Sequence, residues 1–378
     1  MKGTALLKLD ALEGKVYGYP SHVSDRGLEA SFEIEPCGSL ILYVSHKPLE
    51  KEYPTEVKFE RGTKLEASFP VKVTRLQDNV LPIDFCNLSL KGKDYRNIYF
   101  YKAADLAYKA YGFRSGNPWN HSIQYKRNVM DKDTVRSGGF VTTYHFNVVG
   151  AADFENIQLV IENSGLFTVK MNGMEIKSIP GTWWLDRYFG VYDIQKSVRS
   201  GMNDVEVSIN SMSVYAEIEQ IYVVGDFSVI PGSDRWSISQ VVPTFGLGSW
   251  KDQKLPFYSW GMSYSKSYRV DKGNVHYFIQ LNKWNGTATE VFVNGEKAGV
   301  IFKEPNNLNI TPYLKSGENM IDVHVIGSLY NLYGPHYNNP SKGLASPWNW
   351  RNVEKPIDPS AYNFIDYGLM EDFDVYSD

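Results

Sequence analysis

Short runs of β-branched and aromatic residues alternate with polar residues along most of the chain, and each run is bounded by Gly, Asn or Pro. Clear examples are residues 157–161, 167–171 and 205–209. A period of two places successive side chains on opposite faces of a strand, which is typical of sandwich proteins. Helical periodicity is scarce. The best candidate, residues 103–111, is expected to form no more than two turns before Gly112. The pattern therefore predicts an all-β protein.

An internal repeat indicates how the chain is organised. Two stretches carry four signals in the same order: a strand ending in an Asn-Gly turn, a short apolar strand, a Gly-x-Asn turn before another strand, and a closing Asp-Phe pair. In chain order these signals lie at Asn172, residues 191–194, Asn203 and Phe227 in the first stretch, and at Asn294, residues 308–311, Asn319 and Phe373 in the second. An Asn-Gly hairpin turn needs the positive φ that both residues tolerate.

The repeat predicts two tandem jelly-roll β-sandwiches after an N-terminal antiparallel β-module. The module takes residues 1–85, the first sandwich residues 86–230 and the second sandwich residues 231–378. Polar residues with Gly and Pro at 230–240 are expected to form the linker between the sandwiches. The second sandwich also carries a long aromatic insert at residues 328–363, and a loop of this length is usually functional or covers a core.

Sugar rings have apolar faces and hydroxyl edges, so their binding sites combine an exposed aromatic platform with short polar side chains. The insert and one polar turn supply both kinds. The candidate carbohydrate-binding residues are Trp284, Tyr333, His336, Tyr337, Trp348, Asn349, Trp350 and Arg351. The alternative is that the insert folds back to cap the sandwich or packs on a neighbouring domain, and Trp284 could equally be a hydrophobic anchor. In the first sandwich, residues 119–121 are similar candidates, whereas Trp183 and Trp184 are expected in a core or interface.

Composition and charge exclude several classes of partner and cofactor. The formal net charge is −4 and 22% of the residues are charged, so no basic field attracts nucleic acid or an anionic membrane. No apolar run is long enough to cross a membrane as a helix. The two cysteines, Cys37 and Cys86, give neither a disulfide framework nor a metal-ligand spacing, and no zinc, phosphate-loop or serine-hydrolase motif occurs. We therefore expect no nucleic acid partner, no membrane insertion and no cofactor.

Glycoside hydrolysis needs two nearby carboxyl groups, one of them with a raised pKa. Glu217 and Glu219 alternate along the chain, but a solvated strand face explains them. The acidic pair before Phe373 is expected to be structural. No catalytic residue is assigned. A structural calcium ion, common in sugar-binding jelly rolls, is left open because no ligand set can be named.

Several motifs resemble galactose-binding-like β-sandwich domains attached to glycoside hydrolase family 2 and alpha-L-rhamnosidase-type enzymes of bacteria that degrade polysaccharides. In the second sandwich these motifs are residues 248–250, 255–258, 293–295 and 315–319; in the first they are residues 183–186 and 201–204. Residues 27–44 are similar to the all-β segment that follows the (β/α)₈ barrel of such hydrolases. The motifs are largely turn chemistry, which identifies a fold and carries no function alone.

The resemblance implies an exported bacterial protein, located outside the cell, in the periplasm or on the cell surface, whose upstream catalytic barrel is absent from this chain. No catalytic acid or nucleophile of those enzymes matches a position here, so this part is expected to be non-catalytic, with a glycan or polysaccharide as its partner. Two rival hypotheses remain: a structural assembly that braces a missing domain, and a glycosidase with its site at a domain junction. Exposure of Trp348, Trp350 or Tyr337 near a groove favours sugar binding, their burial favours bracing, and a cleft with two close carboxylates favours hydrolysis.

Overall fold

The computed structural model describes residues 3–113, 116–120, 136–233, 235–271, 273, 275–336, 349, 353, 356 and 358–378. Within these residues the protein is all-β, as the sequence predicts, with antiparallel sheets and few helices. Four of the predicted carbohydrate-binding residues, Tyr337, Trp348, Trp350 and Arg351, lie outside the described residues.

The strands are numbered along the chain. Up to residue 99 they are β1 (Ala5–Asp10), β2 (Lys15–Tyr19), β3 (His22–Ser24), β4 (Gly27–Glu29), β5 (Ile41–Ser45), β6 (Thr63–Lys64), β7 (Lys72–Arg75), β8 (Asn79–Ile83), β9 (Phe85–Leu90) and β10 (Lys93–Tyr99). From residue 136 to 240 they are β11 (Arg136–Val149), β12 (Ile157–Glu162), β13 (Thr168–Met171), β14 (Met174–Ile176), β15 (Phe189–Asp193), β16 (Gly201–Met212), β17 (Ile221–Gly225), β18 (Phe227–Pro231) and β19 (Trp236–Gln240).

The remaining strands are β20 (Gly261–Val270), β21 (Tyr277–Gln280), β22 (Lys283–Asn285), β23 (Ala288–Val293), β24 (Glu296–Ile301), β25 (Asn307–Asn309), β26 (Gly317–Ile326), β27 (Gly368–Glu371) and β28 (Asp374–Ser377). The α-helices are α1 (Phe100–Ala110) and α2 (Tyr330–Tyr333), and short 3₁₀ helices lie at Pro118–Asn120, Ser164–Leu166, Trp250–Gln253, Thr311–Tyr313 and Pro359–Ala361.

The chain forms two compact units. Unit 1 comprises Met1–Val73, Met262–Ile326 and Gly368–Asp378, and unit 2 comprises Thr74–Gly261 and Gly327–Tyr367. This division differs from the predicted boundaries after residues 85 and 230. Unit 1 combines the two ends of the chain, and the aromatic segment 327–367, predicted as an insert of the second sandwich, belongs to unit 2.

Unit 2 is built from two sheets. The larger sheet has the order β10-β9-β11-β16-β13-β14, and the hairpin β18–β19 joins it through parallel pairing of β19 with β11. The smaller sheet has the order β15-β12-β17-β8. Alternate residues of β11 are buried from Phe140 to Val148, and they share one hydrophobic core with inward residues of β12 and β17. Unit 2 is therefore a β-sandwich whose core lies between these sheets.

Two local predictions are corrected in unit 2. Residues 230–240, expected to form a linker, belong largely to the hairpin β18–β19, because alternating apolar residues such as Val229 and Ile238 face the core. Helix α1 begins at Phe100 and is longer than predicted. It buries Ala103, Ala107 and Tyr108, which lie on one face at helical spacing, and it ends before Gly112 as the sequence indicates.

Unit 1 contains a five-stranded sheet of order β24-β23-β26-β20-β7 and a four-stranded sheet of order β25-β21-β28-β6. A three-stranded antiparallel sheet, β2-β1-β5, comes from the N-terminal segment, and two-stranded sheets are formed by β22 with β27 and by β3 with β4. The antiparallel character predicted for the N-terminal module is thus present in β1, β2 and β5.

The internal repeat is visible at the level of single atoms. Asn172 and Asn294 both adopt positive φ, at 50° and 53°, in the Asn-Gly turns that end β13 and β23. Each donates from its side-chain amide to the buried Asn of the following Gly-x-Asn turn, Asn172 to Asn203 at 3.0 Å and Asn294 to Asn319 at 2.9 Å. The same pair of amides therefore connects the same two turns in both units.

Candidate functional site

The aromatic segment of unit 2 places two predicted residues inside the protein. His336 is only 6% exposed, and its ring packs against Phe257, Tyr362 and Phe364 with centroids 5.3–5.4 Å apart. Burial lowers the pKa of this imidazole to about 4, so the ring is neutral. We correct the sugar-stacking assignment of His336, because every face of its ring that the structure describes is covered by core side chains.

Tyr333 also packs inward. Its ring lies 6.1 Å from that of Tyr222, to which it is hydrogen-bonded, and burial raises its pKa to about 12. Its neighbour Leu332 belongs to the core of unit 2. For this stretch the structure follows the alternative in which the segment packs on a neighbouring domain, because Tyr222 belongs to the predicted first sandwich.

The other predicted residues that the structure describes do not meet in one place. Trp284 lies half-buried on β22 of unit 1, and its indole nitrogen donates to the Asn306 side chain at 3.2 Å. Asn349 is half-buried in unit 2. Tyr337, Trp348, Trp350 and Arg351 stay predictions.

A carboxyl cluster that the sequence analysis discounted lies at one edge of unit 2. Glu217 and Glu219 precede β17 and are half-buried, and their side chains are hydrogen-bonded to each other. The Asn117 side-chain amide donates to Glu217, and the Tyr144 hydroxyl donates to the backbone oxygen of Glu219 at 2.5 Å. The predicted solvated strand face is therefore wrong for this pair, since the segment is irregular and turns both carboxyls inward.

Electrostatics make this pair unusual. Burial raises the pKa of both Glu217 and Glu219 above the ordinary range. A direct hydrogen bond between two carboxyl groups requires a proton on at least one of them. The pKa of Glu162, at the end of β12, is raised to about 7, first by burial and then by the charges of Glu217 and Asp186. The three glutamates thus keep their protons to a higher pH than ordinary carboxyl groups do.

An aromatic layer lies against the sheet that carries Glu162. Tyr222 of β17 packs against Trp184 with ring centroids 5.1 Å apart and against Phe189 at 6.0 Å, and Trp184 packs against Trp260 at 5.8 Å. Every residue of β17 is buried, so this layer and the core cover both faces of the smaller sheet. The layer fixes the position of the strands that bear the carboxyl cluster.

An exposed aromatic pair adjoins the carboxyl cluster through Asn117. Trp119 is 42% exposed and Tyr215 is 47% exposed, and their ring centroids lie 5.8 Å apart. The Trp119 indole nitrogen donates to the backbone oxygen of Val214 at 2.8 Å, and its backbone nitrogen donates to the Asn117 side chain at 3.0 Å. These bonds hold the rings in place, and we name the two residues the Trp119–Tyr215 platform.

Sequence reasoning singled out Trp119 but missed its partner, because Tyr215 is distant in sequence and lies in a stretch without a motif. His121, a candidate beside Trp119, lies outside the described residues. Trp183 is 56% exposed and so does not lie in the core, and its place in an interface stays a prediction, whereas Trp184 packs in the aromatic layer as expected.

The described residues contain no group of three or more His, Cys, Asp or Glu side chains placed to hold a metal ion. The calcium ion that the sequence left open therefore remains without a ligand set. Among the same residues, no helix is both long enough and apolar enough to cross a membrane.

Comparison with known proteins gives only weak likenesses. No family model matches the chain, and no curated protein matches it. Among solved structures it is similar to a rhamnosidase from Novosphingobium sp. PP1Y, with 15% identity, a TM-score of 0.26, and coverage of 65% of this chain and 22% of that chain. It is also similar to b-glucuronidase from Ruminococcus gnavus, with 13% identity, a TM-score of 0.26 and coverage of 68% and 41%.

A third similar structure is the alpha-L-rhamnosidase of Streptomyces avermitilis, with 13% identity, a TM-score of 0.22 and coverage of 52% and 22%. These structural neighbours are glycoside hydrolases, and this chain spans less than half the length of each. Similarities with such low TM-scores do not indicate what the chain does. Its function is therefore inferred from the residues of the site.

Proposed function

We propose that this chain is a glycan-binding, non-catalytic region of a polysaccharide-degrading glycoside hydrolase, and that the Trp119–Tyr215 platform contacts the glycan. The observation that carries the proposal is the pair of adjacent, half-exposed rings held by backbone and amide hydrogen bonds. Apolar faces of sugar rings stack on such surfaces, and a ring already fixed in position loses little entropy on binding.

Polar groups beside the platform hold its rings in position. Glu217 accepts a hydrogen bond from Asn117, which in turn supports Trp119. Because Asn117 is only 3% exposed, it fixes the Trp119 ring and does not meet the sugar. The exposed Tyr215 adds a hydroxyl group, which can both donate to and accept from the hydroxyl groups of a sugar.

The acid pair does not favour the glycosidase hypothesis. Glycosidases hold their two carboxyl groups about 5 to 10 Å apart so that a water molecule or a sugar atom fits between them. Glu217 and Glu219 are hydrogen-bonded directly to each other, which leaves no such space. We propose that catalysis belongs to a domain outside this chain, and that the whole protein acts outside the cell, where polysaccharides are met.

Replacing Trp119 with alanine is expected to weaken glycan binding by at least about tenfold, or about 1.4 kcal/mol, because the stacking surface is lost. The measurement is affinity electrophoresis of the purified chain in gels that contain one polysaccharide each. Tyr43→Ala is the matched control, because Tyr43 is an exposed aromatic residue of unit 1 at 55% exposure and lies in a different unit. Far-ultraviolet circular dichroism checks that both variants are folded.

Retardation by one polysaccharide class that Trp119→Ala abolishes and Tyr43→Ala retains supports the proposal. Retardation that both variants retain places glycan binding elsewhere in the chain. Absence of retardation in every polysaccharide overturns glycan binding.

Structural bracing is the second candidate function, and one observation favours it. Several large apolar side chains of the N-terminal part of unit 1 are exposed, among them Val23, Phe32, Ile34 and Tyr43. Several exposed apolar side chains close together are typical of surfaces that contact another domain or protein. If no glycan binds, contact with a catalytic domain or partner chain becomes the favoured function.

A further inference from the structure

We propose that the half-buried Glu217–Glu219 pair positions Trp119 through Asn117 and thereby makes glycan binding depend on pH. This inference rests on the proposed glycan-binding role of the Trp119–Tyr215 platform, and it concerns the regulation of that same site. Glu217, Glu219 and Asn117 are positioning residues, because they act on the platform and are not themselves the stacking surface.

The contacts form a continuous path. Glu219 is hydrogen-bonded to Glu217, and Glu217 accepts a hydrogen bond from the Asn117 side-chain nitrogen. The Asn117 side-chain oxygen accepts from the Trp119 backbone nitrogen at 3.0 Å. Asn117 is only 3% exposed, so its amide has no competing contact with bulk water. Displacement of Glu217 therefore deprives Asn117 of its acceptor and loosens the start of the short helix that carries Trp119.

A second branch fixes the other half of the platform. The backbone oxygen of Val214 accepts from the Trp119 indole at 2.8 Å and from the Tyr108 hydroxyl at 2.7 Å. Tyr215 follows Val214 directly, and Glu217 lies two residues further along the same irregular segment. The segment thus carries one platform ring and both carboxyl groups, so a shift of the acid pair moves Tyr215 as well as Trp119.

Among the described residues, the titratable groups that face the pair come from several elements. They are Glu162 on β12, Tyr144 on β11, Tyr222 on β17, Tyr333 on α2 and Tyr99 at the end of β10, and Asp186, in the turn before β15, acts on Glu162. Those that ionise below pH 9 are carboxyl groups, and carboxylates repel one another. The surroundings therefore favour the protonated form of the pair.

The direction of the pH effect follows from this arrangement. In mild acid Glu219 holds the proton of the pair and donates it to Glu217, whose carboxylate accepts from Asn117, so the path to Trp119 is intact. As the pH rises through about 7, Glu162 ionises and adds a negative charge beside the pair. Further loss of protons breaks the carboxyl–carboxyl hydrogen bond and separates the two side chains by repulsion. Glycan affinity is therefore expected to be highest in mild acid and to fall as the pH rises through neutrality.

The test measures the pH profile of glycan affinity by calorimetry for the full chain and for Glu217 variants. Glu217→Ala removes the acceptor for Asn117 and is expected to lower affinity about tenfold in mild acid. Glu217→Gln keeps an acceptor and cannot ionise, so it is expected to restore most of that affinity and to flatten the profile. Glu206→Gln is the control, because Glu206 pairs with Lys170 on the surface of unit 2.

A readout without glycan separates this inference from the proposed function. The chain is labelled with 5-fluorotryptophan, and the Trp119 fluorine resonance is assigned by Trp119→Phe. This resonance is expected to move with pH in the wild type and to be nearly constant in Glu217→Gln. A stationary Trp119 resonance overturns the inference whether or not glycan binds. Glycan affinity that falls equally in wild type and Glu217→Gln also overturns it, whereas absence of glycan binding with a moving resonance removes only the proposed function.

Discussion

Asn319→Ala is expected to lower the free energy of unfolding by about 3 kcal/mol. The Asn319 side chain is fully buried and makes four hydrogen bonds. Its nitrogen donates to the backbone oxygens of Lys315 and Gly317 at 2.7 and 2.9 Å, and its oxygen accepts from the Lys315 backbone at 2.9 Å and from Asn294 at 2.9 Å. Alanine removes all four of these part-buried hydrogen bonds, each worth about 1 kcal/mol net.

Asn203 is the equivalent residue of the other repeat and serves as an independent copy of the experiment. It is also fully buried, and it bonds to Arg199, Gly201 and Asn172 in the same pattern. Urea unfolding measures the free energy, and hydrogen exchange with mass spectrometry locates the loss, which is expected in unit 2 for Asn203→Ala and in unit 1 for Asn319→Ala. Asn285→Ala, at an exposed position, is the control and is expected to change stability by less than about 0.5 kcal/mol. A loss below about 1 kcal/mol at both buried positions contradicts the structural role of the repeat.

Glu162→Gln is expected to stabilise the protein at alkaline pH by about 1 to 3 kcal/mol and to change its stability little in acid. In the unfolded chain Glu162 loses its proton near pH 4.5, whereas in the folded protein its pKa is about 7, because burial and the charges of Glu217 and Asp186 favour the neutral form. The folded state therefore binds more protons between these two values, and stability falls as the pH rises through that window. Glutamine stays neutral and removes this loss.

The expected gain of about 1 to 3 kcal/mol is smaller than the full pKa shift implies, because Glu162 is partly in contact with solvent, which screens its charge. The measurement is urea unfolding of wild type and variant at about pH 4, pH 6 and pH 8. The difference in free energy of unfolding between variant and wild type is expected to be small at about pH 4 and to increase up to about pH 8. A constant difference across the three conditions would show that Glu162 titrates in the folded protein as it does in the unfolded chain.

The fold could be predicted from the sequence where local chemistry determines it. Asn-Gly and Gly-x-Asn turns require backbone conformations that few residues adopt. The repeat at Asn172, Asn203, Asn294 and Asn319 could therefore be recognised in the sequence alone. The all-β class followed from the period of two along segments such as residues 157–161, which form most of β12. The unit to which segment 327–367 belongs could not be predicted in this way, because the segment joins unit 2 through contacts with distant residues such as Tyr222.

The site was only partly predictable for the same reason. Trp119 was noticed as a large ring in a polar turn, but its partner Tyr215 is brought to it by the fold alone. Glu217 and Glu219 have the spacing of a solvated strand face, and nothing local indicates that the segment is irregular and buried. His336 has the neighbours of a binding loop in sequence and those of a core in space. Burial depends on packing between residues that are distant in sequence. The local pattern therefore identified candidate residues but did not predict which of them are exposed.

Contact between glycan and Trp119 is tested by titrating the fluorotryptophan-labelled chain with the polysaccharide that retards it most, followed by fluorine magnetic resonance. We expect the Trp119 resonance to shift in proportion to bound glycan, while that of Trp183, which is also exposed, stays in place. A Trp119 resonance that remains unchanged while glycan binds would contradict the assignment of the platform as the binding site.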